Sequence, residues 1–231
     1  MKVFLFLSTL AVTALASSRP PFFPQVTRSN QQENQELQCY EFPSYEGIAY
    51  RFNDYAPSLS PFDFDNVISS CCFNGVWILY DEHDYNKNDF GAAVYSGWGE
   101  GACFTFDATF DDKASSLRFA GAPDGYKQDT INFYESKYFI GEEQYFYDDA
   151  PQFNFDNFGQ SVIVTGCAPW TIYEYDNYQG ESICLYPSDT TECYPSFYAE
   201  PTDLGFLASQ VSSARKGCFS KNEKKGKATF P

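Results

Sequence analysis

The chain of 231 residues has one histidine, one methionine, and only 15 lysines and arginines against 31 aspartates and glutamates. With His83 alone, any Ser–His or Cys–His catalytic pair must pass through that residue, which sits among Asp81, Glu82 and Asp84 in a turn-like string. Zinc spacing is absent: Cys71 and Cys72 are adjacent, and no two cysteines stand two residues apart. There is no phosphate-cradling glycine loop and no Asn-x-Ser/Thr sequon. Acid pairs are plentiful, but in so acidic a chain they carry no specificity for a glycosidase-type site. We read the chain as a non-enzyme. Long apolar runs are also missing. The longest, Val3–Leu15, is too short for a membrane span, and its end forms the string Ala14-Leu15-Ala16 before Ser17, so residues 1–16 read as a secretory signal peptide.

Positive charge is scarce where it would matter for nucleic acid. Residues 29–214 hold 30 acids and six bases, whereas residues 215–231 hold six bases and one acid. An acidic body of this kind repels a phosphate backbone, and nucleic acid is not an expected partner. The basic tail, 221–231, reads as a solvated terminus, and 17–37, polar and rich in Pro and Gln, as a mobile arm. Eight cysteines fit a secreted, extracellular protein. Cys39, Cys71, Cys72 and Cys103 fall in the first half and Cys167, Cys184, Cys193 and Cys218 in the second, as two separately stapled domains would have them. Spacing does not fix the pairing, although Cys167 and Cys218 bracket one repeat unit.

What the chain does have is a repeat. Asp65-Asn-Val-Ile-Ser-Ser70 recurs as Asp111-Asp-Lys-Ala-Ser-Ser116, partially as Asp156-Asn-Phe-Gly-Gln-Ser161, and degenerately as Ala208-Ser-Gln-Val-Ser-Ser213. Upstream of each is an aromatic hairpin string. Tyr40, Phe42, Tyr45 and Gly47 in the first unit match Tyr173, Tyr175, Tyr178 and Gly180 in the fourth; the third keeps Tyr134, Phe139 and Gly141, and the second has Tyr80, Tyr85 and a displaced Gly91. Aromatic residues make up 19% of the chain and come in short strand-like runs such as Ile131–Tyr138, with no long stretch of helical periodicity. Carboxylate, amide and hydroxyl oxygens without thiol or imidazole suit a hard cation such as calcium.

These paired strings resemble the βγ-crystallin superfamily over residues 39–218. The resemblance implies an all-β fold of two βγ-crystallin-like domains, each a sandwich of two paired antiparallel Greek-key motifs. Domain 1 would span 38–120 (motifs 1 and 2), a linker 121–130, and domain 2 131–220 (motifs 3 and 4). It also implies that the acidic loops of one domain lie side by side and exchange calcium ligands. In domain 1 those ligands are Asp65, Asn66, Ser69, Asp111, Asp112 and Ser115, and two calcium ions are expected. Domain 2 departs from the pattern, with Gln160 in place of the hydroxyl and Ala208-Ser209 in place of both acids, so at most one weak site is expected there. The function so read is a secreted, disulfide-stabilised calcium-binding protein of an extracellular matrix or similar structural layer. The alternative is a secreted binding module, such as a protease inhibitor or defence protein acting on a protein or membrane target, which would present a hydrophobic residue on Pro57–Phe62 or Tyr194–Thr202. The oligomeric state is left open.

Overall fold

The structure, a computed structural model, describes residues 34–228. The expected signal peptide, residues 17–33 of the expected arm, and the last three residues lie outside the described residues. Antiparallel strands dominate. The first half holds β1 (Glu36–Phe42), β2 (Glu46–Phe52), β3 (Ser70–Tyr80), β4 (Val94–Thr105) and β5 (Ser116–Ala120). The second holds β6 (Thr130–Tyr134), β7 (Glu143–Phe146), β8 (Ser161–Thr165), β9 (Trp170–Tyr175), β10 (Gln179–Tyr186), β11 (Ser196–Tyr198), β12 (Ser213–Lys216) and β13 (Glu223–Lys225). Among the described residues the one α-helix is the single turn Pro201–Leu204.

In the second half two sheets face each other, ordered β11-β8-β6-β7 and β12-β9-β10-β13. Apolar side chains from both meet in one core around Trp170, Phe133, Ile172 and Val211. In the first half the same plan is drawn with two long strands. Residues 70–74 of β3 pair with β1, and residues 76–80 pair with β5, while β4 runs along the other side throughout. The change of partner falls at a register shift between Phe73 and Asn74, beside Gly75, whose φ of 100° favours glycine. The core of this half gathers Trp77, Phe73, Leu37 and Leu117.

All four hairpins fold over in the same way. Their tips place Ser44–Tyr45, Asp84–Tyr85, Tyr138–Phe139 and Asn177–Tyr178 in the left-handed region. Gly47 follows the first tip at φ 83°, and a Cβ there would lie 2.7 Å from the Phe42 ring. Glycine is therefore required where the aromatic of the string folds back over the chain. The second hairpin manages without it because Asn86, fully buried at φ 58°, accepts from the Glu82 amide and donates to the Ala93 carbonyl.

The last serine of every hexapeptide latches its own hairpin. Ser70, Ser116, Ser161 and Ser213 donate to the carbonyls of Phe42, Glu82, Ser136 and Tyr175 at 2.6–2.7 Å. The same oxygens accept from the amides of Tyr45, Tyr85, Phe139 and Tyr178 at 3.0–3.1 Å. All four serines are fully buried, so the sixth hexapeptide position is a structural one.

The bridges are Cys39–Cys71, Cys72–Cys103, Cys167–Cys193 and Cys184–Cys218. Each stays within its half, but Cys218 pairs with Cys184 and not with the Cys167 that brackets the same unit. Cys39 and Cys72 lie opposite Cys71 and Cys103 on neighbouring strands. Adjacent residues of a strand face opposite ways, so Cys71 bridges inside the core while Cys72 bridges on the outer side, where Cys103 is exposed.

Both chain ends of the described region are more ordered than their composition implies. Gln35, from the segment read as an arm, is 1% exposed; it donates to the carbonyls of Ala120 and Ala122 and accepts from the Val76 amide. Leu37, also in that segment, is in β1 and fully buried. In the basic tail, β13 adds to β10 in parallel, pairing Cys184 with Glu223 and Tyr186 with Lys225. Lys227 then bridges to Phe197, and Trp98 of the first half donates its indole N–H to the Ala228 carbonyl. A tail of lysines is held because backbone pairing at a free sheet edge does not depend on apolar side chains.

The two halves also share a third apolar cluster, built from Val76, Ile78 and Tyr80 on one side and Tyr134, Phe139, Ile163 and Phe197 on the other. Within it lies Arg118, 2% exposed, stacked over Tyr85, Tyr134 and Tyr80 at 4.5, 4.7 and 5.2 Å. Its guanidinium donates to the Tyr80 hydroxyl and to the Phe139 carbonyl, both at 2.8 Å. A buried charge is tolerable only with partners of this kind.

Candidate metal centre

The two complete hexapeptides of the first half cross each other. Their second residues, Asn66 and Asp112, adopt left-handed backbone at φ 55° and 54°, as do Asn157 and Ser209 in the other half at 54° and 58°. Asparagine and aspartate tolerate this region, which is why the string begins with them. The turn aims each amide at the opposite loop. The Asn66 amide donates to the Ala114 carbonyl at 2.9 Å, and the Asp112 amide to the Ile68 carbonyl at 3.1 Å. Across the same junction the Ser69 hydroxyl donates to Asp112 Oδ1 at 3.2 Å.

The residues singled out in sequence thus form one locus. Ser69 and Ser115 are buried, Asp65 and Asp111 half-buried, and Asn66 and Asp112 exposed. The first carboxylates are the unusual ones. Asp65 Oδ1 and Asp111 Oδ1 are each shielded from solvent without a hydrogen-bond partner. Such oxygens are costly, and here they occur at the same position of two crossed loops. Carboxylate, hydroxyl and nearby carbonyl oxygens are the donor set of a hard cation. Among the described residues, no three or more His, Cys, Asp or Glu side chains converge, so a cation here would draw on Ser69, Ser115, backbone carbonyls and water as well.

Two neighbours of the locus come from outside the hexapeptides. Ser60 donates to Asp65 Oδ2 at 3.0 Å, and His83 Nε2 stands 3.9 Å from the same oxygen. Neither follows the repeat spacing, and no signal in the sequence marks them. In the second half the crossing persists without the charge. The Ser209 amide donates to the Gly159 carbonyl at 2.7 Å, but both oxygens of Asp156 accept from its own neighbour Asn157.

The two loops proposed to carry an exposed hydrophobic residue do not present one in this way. Leu59 is fully buried and Phe62 packs against the first core; Phe197 and Tyr198 are buried and Tyr194 stacks on Trp98 at 4.8 Å. Among the described residues no helix is long and apolar enough to cross a membrane.

Comparison with known proteins agrees with this geometry. The Beta/Gamma crystallin family profile matches residues 130–216. Gamma-crystallin-4 of Xenopus laevis is 28% identical over 181 residues, covering 77% of this chain and 95% of that protein. Beta-crystallin A1 of Mus musculus is 26% identical over 156 residues, 65% of this chain and 77% of that protein. Among solved structures, Geodin, a beta-gamma crystallin from Geodia cydonium, superposes with a TM-score of 0.61 at 17% identity, over 80% of this chain and 99% of that one. With hairpins, latching serines and crossed loops recurring along it, the chain has the βγ-crystallin fold, and its residues 130–216 match the Beta/Gamma crystallin family itself.

Proposed function

We propose that this is a secreted structural protein of an extracellular matrix or similar layer, whose first domain binds two calcium ions at the crossed loops. One observation carries the reading: Asp65 Oδ1 and Asp111 Oδ1 are buried, unpartnered and related by the internal repeat. Two ions placed between the loops would supply the missing partners, with Asp65, Asn66 and Ser69 on one loop and Asp111, Asp112 and Ser115 on the other. The four disulfides favour an oxidising compartment. Extracellular calcium modules commonly bind at about 10⁻⁴–10⁻³ M, so ambient calcium would keep the loops occupied. Bound ions then act as a staple and relieve the self-repulsion of an acidic body. The second domain, with its carboxylate already satisfied by Asn157, contributes no comparable site.

Calcium titration by calorimetry on the oxidised chain tests this. Two sites are expected in the parent, with binding weakened in Asp112→Ala and the second domain's melting unchanged. Absence of heat, or an unaltered titration of that variant, would reduce the loops to turns.

A further inference from the structure

A cleft of about 450 Å³ opens where the two halves meet, walled by Tyr55, Phe119, Tyr145 and Tyr147 with Asp54 at its edge. That volume is of the size that holds small ligands. Its rings are arranged in two edge-to-face pairs. Tyr145 and Tyr147 lie 5.8 Å apart at 85°, and Tyr55 and Phe119 4.8 Å apart at 75°. Tyr145 is 50% and Tyr147 38% exposed, so both rings are open to a ligand entering from solvent. None of the side chains lining the cleft is basic.

Both signs of charge lie behind the wall, where Arg118 and Glu143 act on each other. Tyr55 donates its hydroxyl to Glu143 Oε2 at 2.7 Å, while Glu143 Oε1 is shielded from solvent and has no hydrogen-bond partner. Asp54 and Asp84 act electrostatically on Tyr85, and Asp124 and Glu143 on Tyr147; among the described residues the one cation buried at this junction is Arg118. Arg118 shows what the junction does with a positive charge. It is held among Tyr80, Tyr85 and Tyr134 by ring faces and oxygen acceptors. The cleft likewise sets tyrosines beside an oxygen acceptor, here Tyr55, Tyr145 and Tyr147 with the Asp54 carboxylate.

We propose that this cleft is a binding site for a small organic cation bearing a substituted ammonium group, seated against Tyr145 and Tyr147 with Asp54 as counter-ion. Ring faces attract the diffuse charge, and the carboxylate field rejects anions. The site is independent of the crossed loops, which lie on other residues, so calcium binding and ammonium binding are expected to be separable.

The probe is choline chloride, read by saturation-transfer NMR on its methyl protons with the oxidised full chain at constant ionic strength. The control is 3,3-dimethylbutan-1-ol, which has the same shape without the charge. Choline is expected to bind at millimolar concentration and the neutral isostere about two- to fivefold more weakly, the discrimination a partly exposed cation–π site provides. Asp54→Asn and Tyr145→Ala, both at exposed positions, should each weaken choline by about fivefold with melting temperature unchanged. Equal binding of the isostere, or choline binding unaffected by both variants, would overturn the proposal.

Discussion

Replacing Asp111 by asparagine should give a variant that is more stable than the parent without calcium and less stable than the parent with it. The carboxylate has one oxygen shielded from solvent and without a partner. Leaving a buried polar group unmatched costs about 1–3 kcal/mol, and since Asp111 is only half-buried the lower end, about 1 kcal/mol, applies. Asparagine keeps the shape and removes the charge but not the polar atom, so without metal the variant should gain at most about that amount. Calcium at about 100 times its dissociation constant adds about 2.7 kcal/mol to the parent, and the variant loses that gain. For a chain of this size each kcal/mol moves the melting temperature by about 2–4 °C. The variant should therefore melt higher in chelator, by at most about 2–4 °C, and at least about 3–7 °C lower in saturating calcium. Scanning calorimetry in the two buffers reads both numbers. A variant that melts lower by the same margin in each would show that the Asp111 carboxylate is an ordinary turn acceptor, and the metal reading would fall.

Three further outcomes are expected. Arg118→Met removes the cation shared by Tyr80, Tyr134 and Glu143, and should cost about 3–5 kcal/mol and split the melting of the two halves into separate transitions; a single transition near the parent temperature in calorimetry would contradict this. Alkaline pH should act on the same contact. Burial pushes the Tyr85 hydroxyl up to about 12 and holds Tyr134 well above the ordinary tyrosine range. The raised value makes the Tyr85 contribution complete below about pH 10 and lost as pH climbs through 12, with that of Tyr134 raised in the same direction, which melting curves followed with tyrosinate absorbance would reveal, and a flat profile across that window would refute. Ser116→Ala deletes a donor to the Glu82 carbonyl and an acceptor for the Tyr85 amide, and should cost about 1–3 kcal/mol in urea unfolding; an unchanged midpoint would mean the latch is dispensable.

The repeat made the fold legible because its constraints are local. A left-handed second residue admits Asp or Asn, a folded hairpin admits Gly beside an aromatic, and a buried hydroxyl latch admits Ser. The serine keeps its place in all four units and the other two letters in three each, and even in the decayed loop Ser209 still adopts the conformation of Asp112. That the two acidic loops lie side by side was implied by the family resemblance, and the Ser69 hydroxyl donating to Asp112 across their crossing fits that arrangement. What escaped was non-local. Ser60 and His83 reach Asp65 from other segments, and Cys218 finds Cys184 on strand β10 and not the Cys167 bracketing its unit. Arg118 looked like one more residue of a strand, because nothing near it in sequence announces Tyr134 and Phe139 of the other half. The lysine-rich tail was misread for a related reason: composition reports side chains, and the tail is held through its backbone.

The three tryptophans are distributed as if each reported on a different part of the molecule. Trp77 and Trp170, both fully buried, sit one in each core, whereas Trp98 lies at the junction, stacked on Tyr194 and bonded to the carbonyl of Ala228. Single-tryptophan variants would therefore resolve three optical channels without any added dye. Emission from Trp77 follows the half that carries the crossed loops and that from Trp170 follows its partner, while Trp98 registers when the tail lifts or the halves part. Calcium, alkali and tail removal would each leave a different spectral signature, so loss of one part of the architecture can be told from collapse of the whole.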